Sequence, residues 1–335
     1  MKQQQVTALA LYSGGLDSIL ACRVIAAQGV KVKAIRFVTP FFGYELLAKE
    51  AAYAAKAKSA FGIDVSLRDI STTFLELLRA PKHGFGKHFN PCLDCKILLV
   101  SEVRKLLPAY QASFIITGEV VGQRPMSQRK DTMRVVERDS DCEGILVRPL
   151  CARNLLPTRP ELDGLIDREK LLGFNGRGRA SQRALAKEMQ IEGYPTPAGG
   201  CVLTDVTQGP RVERYYQEHA AVTVADIWLL LVGRQYRLPG GGRFALGRDS
   251  KENDLVLARR APGDLVLRMT DRPGPVGVLR RPTGDDLAAA AGLVVRYGRK
   301  VSPEVPATVA AEGDQGSMTI KALPLADTVF QSWQW

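Results

Sequence analysis

Six consecutive residues, Ser13-Gly-Gly-Leu-Asp-Ser18, stand between an apolar run and a helical pattern, and their types are those that hold phosphate. Gly14 and Gly15 let backbone N–H groups approach phosphate oxygens. A helix starting there adds free N–H groups and the positive end of its dipole. Ser13 and Ser18 bring hydroxyl donors, and Asp17 brings a carboxylate able to hold Mg2+ against the phosphates. The chain has no Gly-x-x-x-x-Gly-Lys-Ser/Thr, which excludes the P-loop of kinases and GTPases.

Thiols offer a second chemistry. Cys92 and Cys95 form a Cys-x-x-Cys at the start of a predicted helix, where two sulfurs point the same way and the helix N-terminus lowers their pKa. Cys201 closes Thr196-Pro-Ala-Gly-Gly-Cys201, whose glycines suit a loop packed against a ligand. Structural zinc is one reading of these thiols, with His83 and His88 near in sequence as further donors or as RNA-facing loop residues. Inert buried thiols are another. Cys22 falls on the apolar side of the first predicted helix and reads as core, while Cys142 and Cys151 have no evident partner.

A scaffold must bring these groups together. Residues 6–12 form an apolar β run, 17–28 carry helical periodicity up to Gly29, and 30–38 read as a second strand. A long helix over 44–61 is closed by Gly62, a third strand follows at 63–70, a helix at 92–107, and strands at 114–117 and 145–150. Strand–helix alternation at this spacing predicts an α/β fold with a doubly wound parallel sheet, whose ligands sit at the carboxyl ends of the strands. Residues 153–193 are expected to be a helical extension and 194–201 irregular. A helix near 210–221 leads into short strand candidates at 235–238, 243–246, 264–269, 276–279 and 319–322, with helices at 249–260 and 285–294. This predicts a small α+β domain, so the expected domains are 1–221 and 222–335.

The 335 residues are 45% hydrophobic and 24% charged, which rules out wholesale disorder. Lys and Arg exceed Asp and Glu by 11, and residues 234–300 alone hold 14 cations against 7 anions. Such a surplus favours a polyanionic partner, nucleic acid first. Apolar runs such as 6–12 and 227–232 fall far short of the ~20 residues of a bilayer span. Residues 1–5 are polar and do not resemble a signal peptide. A cytoplasmic protein with reduced cysteines is expected.

The loop Ser13–Ser18 resembles the PP-loop of the N-type ATP pyrophosphatases, which implies cleavage of ATP between the α and β phosphates and adenylation of a carbonyl oxygen. Thr117-Gly-Glu-Val-Val-Gly-Gln-Arg-Pro-Met-Ser-Gln128 and Val147-Arg-Pro-Leu150 resemble blocks of the ThiI family of tRNA 4-thiouridine synthetases. By that resemblance, which covers roughly residues 5–205, Leu11, Tyr12, Arg36 and Phe37 would frame the adenosine, Lys96 would reach the phosphates, and Gly118 and Gln128 would line the nucleotide site. A Cys-x-x-Cys plus one distant cysteine resembles the sulfur-transferring members that hold a 4Fe-4S cluster with three ligands, here Cys92, Cys95 and Cys201. A Cys95/Cys201 pair passing sulfur through a persulfide and then a disulfide stays open beside it. Residues 244–255, with 261–267 and 272–276, resemble the RNA-binding domain of NFACT proteins. Arg248, Lys251, Arg259, Arg260, Arg280 and Arg281 would then ring a phosphate-backbone reader.

The expected function is ATP-dependent sulfuration of a uridine in tRNA, with ATP, Mg2+ and a 4Fe-4S cluster as cofactors. The expected partners are tRNA and a sulfur donor, either sulfide or a persulfide carrier. No part of the chain resembles the N-terminal tRNA-binding domain of bacterial ThiI members, so the C-terminal module is expected to supply the handle on tRNA. A homodimer is common among the relatives. The rival enzyme reading is a PP-loop ligase amidating a small molecule, and the rival non-enzyme reading is an RNA-binding module with a vestigial nucleotide domain.

Overall fold

The computed structural model describes residues 5–195, 201–300 and 302–335. The chain divides between Pro210 and Arg211 into two compact units. The first holds strands β1 (Thr7–Leu11), β2 (Lys31–Val38), β3 (Asp64–Asp69), β4 (Phe114–Thr117) and β5 (Leu146–Val147). They alternate with helices α1 (Leu16–Ala26), α2 (Glu50–Phe61), α3 (Ser71–Leu77), α4 (Cys92–Leu106) and α5 (Lys130–Asp139), and α6 (Arg159–Leu162) and α7 (Ala180–Glu188) follow.

All pairings are parallel, in the order β3-β2-β1-β4-β5. Such a sheet has both faces covered, and β1 shows why its sequence is apolar throughout. Ala8 and Ala10 face a core shared with Ile19, Leu20 and Ile25 of α1, whereas Leu9 faces Val100 and Val103 of α4 and Val136 of α5. Ile19, Leu20 and Ile25 are fully buried, each worth about 1.5–3 kcal/mol by transfer. The strand order reverses between β1 and β4, which opens a crevice at their carboxyl ends. Leu11 lies in register with Thr117, so both loops leaving the sheet there start side by side.

Two expectations are corrected. The helical extension at 153–193 is reduced to α6, α7 and single 3-10 turns, because Pro157, Gly164, Gly173, Gly176 and Gly178 interrupt it. The fifth strand keeps only two residues. Arg148 turns into buried ion pairs, and Pro149 has no N–H for a ladder.

Helix α8 (Gln208–Glu218) spans the division. The second unit then contains α9 (Val224–Leu230), β6 (Arg234–Arg237), β7 (Arg243–Leu246), α10 (Ser250–Ala258), β8 (Leu265–Met269), β9 (Gly277–Arg280) and α11 (Asp286–Arg296). After these come β10 (Ala307–Gly313), β11 (Gly316–Ala322) and α12 (Asp327–Phe330). Its six strands are antiparallel, in the order β11-β10-β8-β9-β7-β6. Alternation along them splits the core by face: Phe244, Leu267 and Leu279 pack with Leu293 and Val294 of α11, and Ala245, Val266 and Val278 pack with Leu229 of α9 and Val256 of α10. The α/β sheet followed by a separate α+β unit is the predicted class. The sequence pattern missed α9 and β10, the latter because Ala-Thr-Val-Ala-Ala-Glu-Gly has little of the β-branched and aromatic content that marks a strand. No helix among the described residues is long and apolar enough to cross a membrane.

Candidate nucleotide and thiol site

The turn from β1 into α1 is ordered by its own small side chains. Ser18 Oγ donates to the Gly15 carbonyl at 2.8 Å, Ser13 Oγ donates to Ser18 Oγ at 3.2 Å, and Gly15 N donates to Ser13 Oγ at 3.4 Å. Gly15 is the N-cap of α1 and makes no side-chain cap bond, so the helix N-terminus is left for a ligand. Gly14 has φ +78°, and a Cβ there would collide with the Arg36 guanidinium and the Tyr53 hydroxyl, which bond each other above it. Tyr12 and Phe37 are buried at the ends of β1 and β2, and burial followed by the neighbouring Tyr53 pushes the Tyr12 hydroxyl pKa up. Arg36 and Leu11 are only partly covered.

The loop after β4 closes on this turn. Asp17 Oδ2 accepts from Gln123 Nε2 at 2.7 Å and lies 3.8 Å from the Arg179 guanidinium. Gln123 Oε1 in turn accepts from Gln182 Nε2 of α7 at 3.0 Å. Asp17 Oδ1 is buried without a hydrogen-bond partner, as are Gln128 Oε1 and Gln182 Oε1. An orphaned carboxylate oxygen beside a helix N-terminus fits a divalent cation. Gln123, Arg179 and Gln182 were not foreseen. Gln123 lies within the Thr117–Gln128 segment, but Gln182 carries no local signal because only the packing of α7 on α1 brings it near.

Glu119 links the two loops to α4. Its carboxylate is 2% exposed and accepts from Thr117 Oγ1 at 2.8 Å and from Arg148 Nε at 3.1 Å, with Lys96 Nζ 3.5 Å away. Burial pushes its pKa up, but the Lys96 and Arg148 cations and the two hydrogen bonds outweigh that and hold the carboxyl below its usual range. Lys96 is thereby fixed next to Cys95 on the first turns of α4.

All six cysteines are free. Cys92 and Cys95 stand one turn apart on α4, and Asn90 Nδ2 donates to Cys92 Sγ at 3.1 Å. Cys201 is close enough for its charge to act on Cys95: burial first, then Cys201 and Cys92, push the Cys95 thiol up to about 12. Burial followed by Cys92 also raises Cys201, and Arg124 opposes both shifts. The loop 196–200 before Cys201 lies outside the described residues. Three soft sulfur donors from two segments are of the type that iron–sulfur chemistry uses. Among the described residues, no three His, Cys, Asp or Glu side chains are drawn into single-metal spacing. His83 Nε2 is 2.9 Å from Asp139 Oδ2.

In the second unit, Arg280 is corrected from phosphate reader to core. It is 4% exposed, clamps Asp264 through Nε at 2.8 Å and Nη2 at 2.7 Å, and reaches Asp226 at 3.2 Å. Arg248 is held by Glu252, Arg260 by Asp314, Arg281 by Asp226, and Arg259 stacks 3.8 Å over the Trp228 ring. Lys251 is exposed with no ion-pair partner among the described residues. The turn is built by Asp249, which caps α10 through Glu252 N at 2.9 Å, and by Asn253, whose Oδ1 accepts from Val276 N at 3.0 Å.

Comparison with known proteins follows the same division. Residues 3–154 match the family model described as thiamine biosynthesis protein (ThiI), and residues 233–334 match that of the NFACT protein RNA binding domain. No curated protein matches the chain. Among solved structures, the chain is similar to a predicted subunit of tRNA methyltransferase from Methanocaldococcus jannaschii, at 16% identity over 55% of this chain and 76% of that one, with TM-score 0.34. It is also similar to a 4-thiouridine synthetase in complex with RNA and bound ATP, at 20% identity over 67% of this chain and 52% of that one, with TM-score 0.36. A third is the U34-tRNA thiolase NcsA from Methanococcus maripaludis with its 4Fe-4S cluster, at 12% identity over 68% and 71%, with TM-score 0.33. The chain joins a ThiI-like PP-loop domain to an RNA-binding domain of the NFACT type.

Proposed function

We propose that the protein is an ATP-dependent tRNA sulfurtransferase that adenylates a uridine carbonyl and replaces its oxygen with sulfur, with 4-thiouridine as the expected product. The observation that carries this reading is a continuous set of contacts from thiols to phosphate turn. Cys95 adjoins Lys96, Lys96 pairs with Glu119, and Gly118 abuts the backbone of Asp17.

On this reading the Gly14–Ser18 turn and the open end of α1 bind the β and γ phosphates, and Asp17 Oδ1 would hold Mg2+. Lys96 stabilises charge developing at the α-phosphate. The uridine oxygen attacks the α-phosphorus and pyrophosphate leaves with the bond's electron pair. A carbonyl oxygen is a poor leaving group, whereas AMP is a good one. A sulfur nucleophile then adds to the activated carbon and AMP departs. Cys92, Cys95 and Cys201 would hold a 4Fe-4S cluster, which would supply the activated sulfur there. In the persulfide route, the terminal sulfur of a cysteine persulfide makes the attack. The thiolate of the second cysteine then breaks the resulting S–S bond, releases thiouridine and leaves a Cys95–Cys201 disulfide that an external thiol must reduce. The target base has to be turned out of its stack to reach the crevice.

Anaerobically purified protein is to be assayed for iron, for tRNA-dependent ATP–pyrophosphate exchange, and for thiouridine by mass spectrometry of digested tRNA. Exchange with tRNA and a sulfur-labelled nucleoside support the reading. Exchange driven by ammonia or an amine without tRNA, with product formation unaffected by Cys92→Ala, Cys95→Ala or Cys201→Ala, favours a small-molecule ligase. No exchange at all removes the enzyme reading.

A further inference from the structure

A groove of about 480 Å3 opens on the first unit beside β5, the edge strand of the parallel sheet. None of its lining residues belongs to the turn 13–18 or is a cysteine. One wall is cationic. Lys130 and Arg134 stand four residues apart on α5, so their side chains leave the same face about 5–6 Å apart at Cβ. Both are exposed, and among the described residues neither has a hydrogen-bond or ion-pair partner. The two anions that line the groove are already engaged. Glu137 pairs with Arg148, and Glu161 pairs with Arg168 and accepts from Thr158 Oγ1 at 2.7 Å. Arg153 adds a third exposed cation, though its Nη2 already donates to the Glu169 carbonyl and lies 3.7 Å from the Glu169 carboxylate. The lining also has an apolar stretch, Leu155, Leu156 and Pro157, with Leu156 left 76% exposed.

Two unpaired cations and an exposed aliphatic stretch lining one groove, in a volume suited to one or two nucleotides, match a ligand that combines phosphates with the flat face of a base or ribose. An acidic peptide would use the cations but has no regular group for the Leu-Pro wall. We propose that this groove is a phosphodiester-binding site for the RNA substrate, a backbone contact carried by the modifying unit itself. It relies on the tRNA reading above for the identity of that RNA.

The test is the affinity of the full chain for bulk tRNA between about 50 and 200 mM salt. Wild type is compared with Lys130→Ala/Arg134→Ala, with the charge-keeping Lys130→Arg/Arg134→Lys, and with Leu156→Ser; AMP and poly-glutamate are the competing probes. The double alanine variant is expected to melt with wild type, to bind tRNA about tenfold more weakly, and to lose roughly 1.5 from the slope of log K against log salt. The charge-keeping variant is expected to keep wild-type slope and Leu156→Ser to weaken affinity without changing it. An unchanged slope and affinity in the double alanine variant overturn the proposal. So does loss of AMP or poly-glutamate binding with tRNA binding intact, which would give the groove to a small anion or an acidic peptide. A wild type that binds no tRNA at any salt fails earlier, and overturns the tRNA reading along with this one.

Discussion

The α-carbon of Gly118 lies against the backbone of Asp17: a methyl group at position 118 would sit 2.5 Å from the Asp17 carbonyl carbon and oxygen, and 2.6 Å from the Ser18 nitrogen. The obstructing atoms are main chain at the start of α1, so no rotamer change relieves them. The loop after β4 is therefore packed onto the phosphate turn with no space to spare.

Gly118→Ala is expected to push the two loops apart, to lower stability by about 1–3 kcal/mol, and to weaken ATP binding at least tenfold. Isothermal titration with ATP and a thermal melt check both. Wild-type affinity in a folded variant would mean that the turn does not need this contact.

Glu119→Gln leaves Lys96 and Arg148 facing a neutral amide in a buried place, with an expected loss of about 3–5 kcal/mol at neutral pH. The folded-state pKa of Glu119 is depressed, so its contribution is present above the unfolded value of about 4.3 and is lost as pH falls through the lower folded value. Urea melts from neutral to acid pH are expected to show stability falling below about pH 5 in wild type and a flatter profile in the variant.

Cys201→Ala is expected to keep the fold and the ATP–pyrophosphate exchange while abolishing thiouridine formation, because the thiol stands apart from the phosphate turn's own hydrogen bonds. Exchange and nucleoside mass spectrometry on one preparation separate the two steps. Undiminished thiouridine would exclude this residue from sulfur transfer.

Burial pushes the Cys95 thiol up to about 12. In metal-free protein its alkylation by iodoacetamide at pH 8 is expected to be at least ~100-fold slower than that of a thiol with an ordinary pKa of about 8.5, rising about tenfold per pH unit. Peptide mass mapping against time gives the rate. Labelling as fast as a free cysteine would show that the sulfur is not enclosed as described.

Arg280→Met removes the clamp on Asp264 and leaves a buried carboxylate unpaired, with an expected loss of about 3–5 kcal/mol from the second unit. Lys251→Ala, on an exposed side chain, is expected to leave the melting curve unchanged and to weaken tRNA binding with a shallower salt slope. The reverse pattern would return Arg280 to the RNA-contacting set.

Local pattern was enough for the parallel sheet, since β1, α1, β2 and β4 each carry their own period and their own stops, as at Gly62 with φ +70° closing α2. It was also enough for the phosphate turn, because Ser13, Gly14, Gly15 and Ser18 are neighbours and bond within six residues. Tertiary structure alone decided what lies across the chain. It brought Gln182 to Gln123 and Gln123 to Asp17, gave Lys96 its Glu119, and put Cys201 within electrostatic reach of Cys95. It also buried Arg280, which sequence could only count among the surplus cations. Period and turn chemistry act over a few residues and are written in order along the chain. Charge pairing and burial depend on distances through space, which exist only once the sheet has set the loops side by side.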